Sequence, residues 1–345
     1  MQAKAPQQSY AKQAVSLITA TLPMLGVNMA VYAAFFVASV IWFAFWAGLS
    51  FLFAKISPAI AYVCIFFAVG AGAGLVRFAK RYILYMVKGA HIAAMTEKLK
   101  GRHVPGGLAQ LSYGRSIIEK HFKDVSMLFG LDMLINGTLK MISRRVINIT
   151  SWIPLPDGAK SFVRILIEIL NRSLSYVDEA ILSYAIYREE DNVWNSARHG
   201  IVLYGQCYKP ILITAAKVYL IGKVFFIGLL TMFLLPAAAI IYLLPDSAST
   251  GMIVVHILIL VSALFAARLV ELALFEPFAL AYTMVTYHAE IAGKVPDPAW
   301  DQRLQGMSDS FKKIVERAGS AVSKSPVAQL APAQSPPGNG GNTGL

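Results

Sequence analysis

The chain has 345 residues, a formal net charge of +12, 57% hydrophobic residues and 14% charged residues. With a mean hydropathy of +0.57, the chain is too apolar for a single soluble core, and it lacks the short alternating strands of an outer-membrane barrel. Two cysteines are too few for a disulfide framework or a cysteine-rich metal site. The sequence also carries no Walker-type loop, His-Glu-x-x-His or Gly-x-Ser-x-Gly motif. It therefore predicts an all-α, polytopic membrane protein that is not an enzyme and uses no cofactor or metal.

Two pairs of uncharged segments indicate two transmembrane hairpins. The first pair is interrupted only by Lys55 and the second pair only by Asp246. About 20 apolar helical residues cross the hydrocarbon core of a bilayer, so each pair is long enough for two spans. The four predicted spans lie near 27–53, 57–77, 222–245 and 250–270.

The basic residues predict the orientation of both hairpins. Lys12 precedes the first hairpin, Lys223 precedes the second, and Arg268 follows it. Because cytoplasmic loops of membrane proteins are enriched in Lys and Arg, both termini and the middle of the chain are expected in the cytoplasm. The basic face is expected to contact anionic lipids rather than nucleic acid, since no nucleic-acid-binding motif is present. The membrane-surface basic residues are predicted to be Arg77, Lys80, Arg81, Lys88, Arg144 and Arg145.

The middle of the chain permits two interpretations. An amphipathic helix is predicted near 80–100, and a Pro-Gly-Gly segment then breaks it. Helices near 122–142 and 163–187 are almost long enough to cross a bilayer but contain charged residues. If they lie on the membrane surface, the protein has four spans. If they are embedded with their carboxylates facing the bundle interior, it has six.

The C-terminal region contains one more amphipathic helix and a polar tail. The helix is predicted near 300–317, with one apolar face that rests on the membrane surface or against the bundle. Residues 319–345 are rich in Ser, Pro, Gly, Ala and Asn, so a disordered cytoplasmic tail is expected after a helical membrane domain at 1–318. Pro236 is expected to kink the third span.

A small-residue helix and a series of short motifs follow one another from Gly70 to the C-terminus. They are Val69–Gly74, Ala109–Arg115, Ser126–Gly130, Leu170–Tyr176, Ala180–Tyr187, Asn195–Arg198 and Met307–Glu316. Taken in this order, they resemble the latter half of the choline transporter-like protein family, where similar motifs precede or follow spans. The resemblance implies a helical membrane fold, an embedded helix near 122–142 and transport of choline or a related amine.

The candidate binding residues combine acids with aromatic rings. An amine cation in a cavity of low polarity favours aromatic faces and one or two carboxylates. Asp178 and Glu179 lie on one predicted helix with Tyr176 and Tyr184, while Asp124 and Asp132 lie near or within the helix before it. In the alternative interpretation, Asp178 and Glu179 only form ion pairs with Arg172, Arg188 or the basic face, and Arg268 pairs with Glu271 one helical turn away.

Two function hypotheses follow. The first is a transporter of a small amine or headgroup-like solute. The second is a non-catalytic scaffold that organises a membrane through its amphipathic helices, its basic cytoplasmic face and homo-oligomerisation.

Overall fold

The computed structural model describes residues 7–79, 83, 85–122, 125–150, 157–190, 192–244 and 250–323. These residues form helices and no strand, which confirms the all-α prediction. The helices are α1 (Gln7–Ala20), α2 (Leu22–Ala54), α3 (Pro58–Ala79), α4 (Tyr85–Leu99), α5 (Ala109–His121), α6 (Val125–Thr150), α7 (Asp157–Tyr187), α8 (Val193–Leu243), α9 (Thr250–Val270), a π-helical segment (Glu271–Phe275), α10 (Glu276–Ile291), α11 (Pro298–Met307) and α12 (Asp309–Ser323).

The two predicted hairpins carry most of the exposed apolar side chains. Phe45 on α2 is 60% exposed, Phe66 on α3 is 77% exposed, and Met232 on α8 is 66% exposed. A helix that is apolar on all sides is suited to lipid. Within the described residues, three helices are long and apolar enough to cross a membrane, or up to four if the bent α5–α6 pair is one span. They are Leu22–Phe53, Val193–Leu243 and Val255–Ile291, while the apolar part of α3 is shorter, at Pro58–Gly72.

The other helices pack around one apolar core, which we call the helical domain. It consists of α1, α4 to α7, Val193–Ala215 of α8, and α10 to α12. Buried side chains from α8 and α10, such as Ile201 and Met284, lie in this core. α8 continues into its own exposed apolar segment, and α10 follows the exposed apolar helix α9 through the π-helical segment. The second hairpin therefore extends directly into the helical domain.

The middle helices are amphipathic rather than uniformly apolar. On α7, Val177 and Ile181 are buried in the core, whereas Glu168 and Arg172 form an exposed ion pair on the outer face. α7, which was one of the two possible extra spans, is not among the helices apolar enough to cross. Its polar outer face is the reason, because a charged pair is poorly suited to contact with lipid tails.

The kink in α8 lies away from the position that the sequence predicted. Non-helical dihedral angles occur at Cys207, where φ is −120° and ψ is 18°, and none occurs at Pro236. Pro210 explains the position, since its ring cannot pack against the carbonyl of Gln206 in a straight helix.

The C-terminal amphipathic helix is two helices, so the prediction of one helix near 300–317 was wrong. Ser308 is extended and separates α11 from α12, and its hydroxyl accepts a hydrogen bond of 3.2 Å from the N–H of Phe311. This is an N-cap, which favours a new helix start over continuation. Leu304 and Phe311 are fully buried, so both helices rest against the bundle. α12 continues to Ser323, later than the predicted start of the tail, and 324–345 lie outside the described residues.

Candidate functional site

A cluster of ionisable side chains lies where the helical domain meets the spans. The ammonium of Lys88 on α4 forms ion pairs with Glu179 on α7 and with Glu276 at the start of α10, the latter at 3.2 Å. The side chain of Lys88 is 32% exposed and that of Glu179 is 9% exposed. Because each member comes from a different helix, the cluster joins α4, α7 and α10.

Two more acids lie beside this group. Asp178 is buried, and its carboxylate accepts hydrogen bonds from the side-chain amide of Asn136 and, at 2.9 Å, from the N–H of Glu179. Asp132 on α6 lies within electrostatic range of Asp178 and Lys88. Two carboxyl groups thus contact the Lys88 ammonium, and two more lie within range of its charge. Carboxylates held this close together need protons or a further cation to remain buried.

A cavity of about 270 Å³ opens beside Lys88 and Glu276, and we call it the junction cavity. Tyr32 from α2 and Tyr85 from α4 provide aromatic surface. In Glu179, the oxygen Oε2 is buried and has no hydrogen-bond partner among the described residues. Glu179 does not line the cavity, so the wall combines the aromatic rings with the single carboxylate of Glu276. The remaining polar lining side chains are Asn28 and His91.

His91 connects this cavity to the junction of α1 and α2. Its Nδ1 lies 3.3 Å from the side-chain amide nitrogen of Asn28, and its Nε2 lies 3.0 Å from the hydroxyl of Thr21. Since the amide nitrogen can only donate, Nδ1 is the acceptor and the proton is on Nε2. α4 lies in the helical domain outside the candidate spans, and burial lowers the pKa of His91 to about 4.

This pKa predicts a loss of stability in mild acid. The unfolded chain binds a proton at His91 below about pH 6.5, whereas the folded chain does so only below about 4. The contribution of His91 is thus fully present above about pH 6.5 and declines by about 3 kcal/mol as the pH falls to about 4. In wild-type protein, thermal unfolding between pH 7 and 4 should show this decline, and in His91→Leu the decline should be reduced. An equal decline in both proteins would contradict the assignment.

The structure brings together three of the six predicted binding residues. Asp132, Asp178 and Glu179 belong to the charged cluster, with Glu179 closest to Lys88. Tyr176 lines a neighbouring cavity. Tyr184 lies apart in the domain core, where its ring packs edge-on to Tyr287 at 6.2 Å. The sixth residue, Asp124, lies outside the described residues.

The ion pairs expected in the alternative interpretation occur only in part. Arg172 pairs with Glu168, and Arg188 pairs with Glu190, so neither arginine neutralises Asp178 or Glu179. Glu179 does pair with Lys88, which was predicted to belong to the basic face. The pairing of Arg268 with Glu271 is confirmed.

Lys88 was assigned by sequence to the membrane surface, and the structure instead places it between two carboxylates. Lys88 follows Arg77, Lys80 and Arg81 in the chain, so the sequence grouped it with these surface residues and did not indicate its ion pairs. Arg144 is exposed as expected. Lys80 and Arg81, together with the side chains of Arg77 and Arg145, lie outside the described residues.

Sequence reasoning did not include Tyr32, Tyr85 and Asn136 among the site residues, and it considered Glu276 only as an acid near an apolar segment. Glu276 had a signal, since it is an acid just beyond an uncharged span. Tyr32 and Tyr85 had none, because aromatic residues are common throughout the spans.

A second cavity of about 290 Å³ shares Leu272 and Glu276 with the junction cavity, and we call it the basic cavity. Four basic side chains from four helices line it, together with the carboxylates of Glu271 and Glu276. Within the described part of the chain, Lys140 and Lys223 form no ion pair, and Lys223 lies over the ring of Tyr219 at 5.2 Å. The four basic residues are Lys140, Arg172, Lys223 and Arg268.

No group of three or more His, Cys, Asp and Glu side chains in the described ranges is arranged to hold a metal ion. In comparisons with known proteins, no family model, no curated protein and no solved structure matches this chain.

Proposed function

We propose that this protein binds a small organic ammonium ion in the junction cavity, as the binding step of transport across the membrane. The observation that carries the proposal is the wall of that cavity, where Tyr32, Tyr85 and Glu276 surround a space next to buried acids. The resemblance to the choline transporter-like family supports the same ligand class.

The proposed topology has four spans with both termini in the cytoplasm. α2 with α3, and the second half of α8 with α9, form the two crossing hairpins, because their exposed side chains are apolar. α6 and α7 belong to the helical domain on the cytoplasmic side, since their buried faces share its core. The junction cavity then lies at the cytoplasmic ends of the spans.

Lys88 indicates which ligand chemistry the cavity favours. Its ammonium already occupies the position between Glu179 and Glu276. A ligand ammonium in the adjacent space would contact the Glu276 carboxylate while its alkyl groups pack on the two tyrosine rings. Cation–π contact and a carboxylate are together suited to a quaternary or primary amine, and about 270 Å³ is large enough for one molecule of the size of choline.

The test is binding of choline and ethanolamine to the reconstituted protein by titration calorimetry. Glu276→Gln should weaken both ligands at least about tenfold, because a charge-assisted contact contributes about 1.5–3 kcal/mol. The matched control is Glu316→Gln, which removes an exposed acid on α12. If wild type shows no saturable binding, or if the two variants bind equally, the proposal is wrong. The scaffold hypothesis would then be favoured.

A further inference from the structure

An apolar crevice continues from the junction cavity into the lipid-facing part of the molecule. Its first part, about 200 Å³, lies between α2 and the end of α9 and shares Tyr32 with the junction cavity. Its second part, about 510 Å³, lies between α8 and α9 and shares Phe36 and Ala266 with the first. The shared residues place the polar cavity and the two apolar parts side by side, and we call the three together the track.

The crevice is long enough to hold one acyl chain. Along α9 its two parts together extend from Val255 to Val270, which is about 22 Å at 1.5 Å per residue. The hydrocarbon core is about 30 Å thick, so one leaflet is about 15 Å. The crevice therefore has the reach of one acyl chain.

The polar end of the track has the charge pattern of a lipid headgroup. The junction cavity offers Glu276 and two tyrosine rings to an amine. The adjoining basic cavity offers Lys140 and Lys223, which have no carboxylate partner in the described ranges, to a phosphate. The two regions meet at Leu272 and Glu276, so one molecule with both groups can contact both.

We propose that the ligand of this site is a membrane phospholipid with an amine headgroup, bound with its ammonium in the junction cavity, its phosphate in the basic cavity and one acyl chain in the crevice. This inference rests on the amine site of the proposed function. It adds that the ligand enters from the bilayer rather than from water.

The test compares lipid and soluble ligands on the same purified full chain. Native mass spectrometry would measure occupancy by dioleoylphosphatidylethanolamine, with dioleoylglycerol as the lipid that lacks the headgroup. Calorimetry would measure ethanolamine. Ala266→Trp fills the crevice where its two parts meet, and Leu264→Trp on the exposed side of the same helix is the control.

Ala266→Trp should lower occupancy by the phospholipid at least about tenfold and leave ethanolamine binding unchanged, and Leu264→Trp should change neither. If Ala266→Trp does not fold, Ala33→Trp reaches the same crevice from α2. Equal occupancy by phospholipid and diacylglycerol, or phospholipid binding that both crevice variants retain, would overturn the lipid proposal while leaving the amine site intact. Phospholipid binding that is sensitive to the crevice, with no ethanolamine binding, would instead overturn the soluble-amine function and support the lipid.

Discussion

Replacing Lys88 by methionine is expected to lower the free energy of unfolding by about 3 kcal/mol. The ammonium of Lys88 is the partner of Glu179 and Glu276, and Asp178 and Asp132 lie within reach of its charge. Removing it leaves acids in a buried region without a compensating cation. Methionine retains most of the side-chain volume, so the loss reports on charge rather than on packing. Thermal or denaturant unfolding of the reconstituted protein at pH 7 measures this loss of stability.

Two variants control this prediction. Lys98→Met removes an exposed lysine from the same helix and should change stability by less than about 0.5 kcal/mol. In the double variant Lys88→Met with Glu179→Gln, part of the lost stability should return, because one of the uncompensated charges is gone. A Lys88→Met protein as stable as Lys98→Met would show that the ion pairs contribute nothing to the fold.

The second large effect is expected at Gly114, where α5 packs against α4. A Cβ atom at this position would lie 2.2 Å from the backbone carbonyl oxygen of Ala90, a distance that requires one helix to move. Ala90 is completely buried, so its backbone has no free space into which to retreat. Gly114→Ala is expected to cost about 3 kcal/mol, since overpacking outweighs the gain of about 1 kcal/mol in helix propensity.

Gly228→Ala in α8 is the matched control. A Cβ at Gly228 meets nothing within 4 Å, so alanine there should be neutral or slightly stabilising. Both variants would be compared by their unfolding midpoints. Comparable midpoints for Gly114→Ala and Gly228→Ala would contradict the close packing of α4 against α5.

The interior of the helical domain explains why the middle of the chain was ambiguous from sequence. α7 has the length of a span and several apolar residues, and hydropathy alone cannot show whether those residues face lipid or protein. The structure shows Leu174, Val177 and Ile181 packed inside a protein core. Its packing partners include α10, which begins about 90 residues after α7 ends. No local pattern encodes them.

Prediction of the binding residues from sequence is limited in the same way. Asp178 and Glu179 were found from sequence because they are acids within an apolar helix, and such acids are costly unless they have a partner. Their partner Lys88 comes from a helix about 90 positions earlier, and Glu276 from one about 100 positions later. The order of charged residues along the chain does not show which of them lie close together in the folded protein.

The sequence by itself determined the membrane class, the helical fold and the location of the two apolar hairpins. These features depend on local composition, because each segment of about 20 apolar residues must either enter lipid or be covered. Only the tertiary structure decided that Lys88 lies half-buried between two acids, that the amphipathic C-terminal segment divides at Ser308 and packs in the core, and that Tyr32 borders both the junction cavity and the apolar crevice. These features arise where helices distant in sequence meet, and the energy of such contacts depends on three-dimensional proximity.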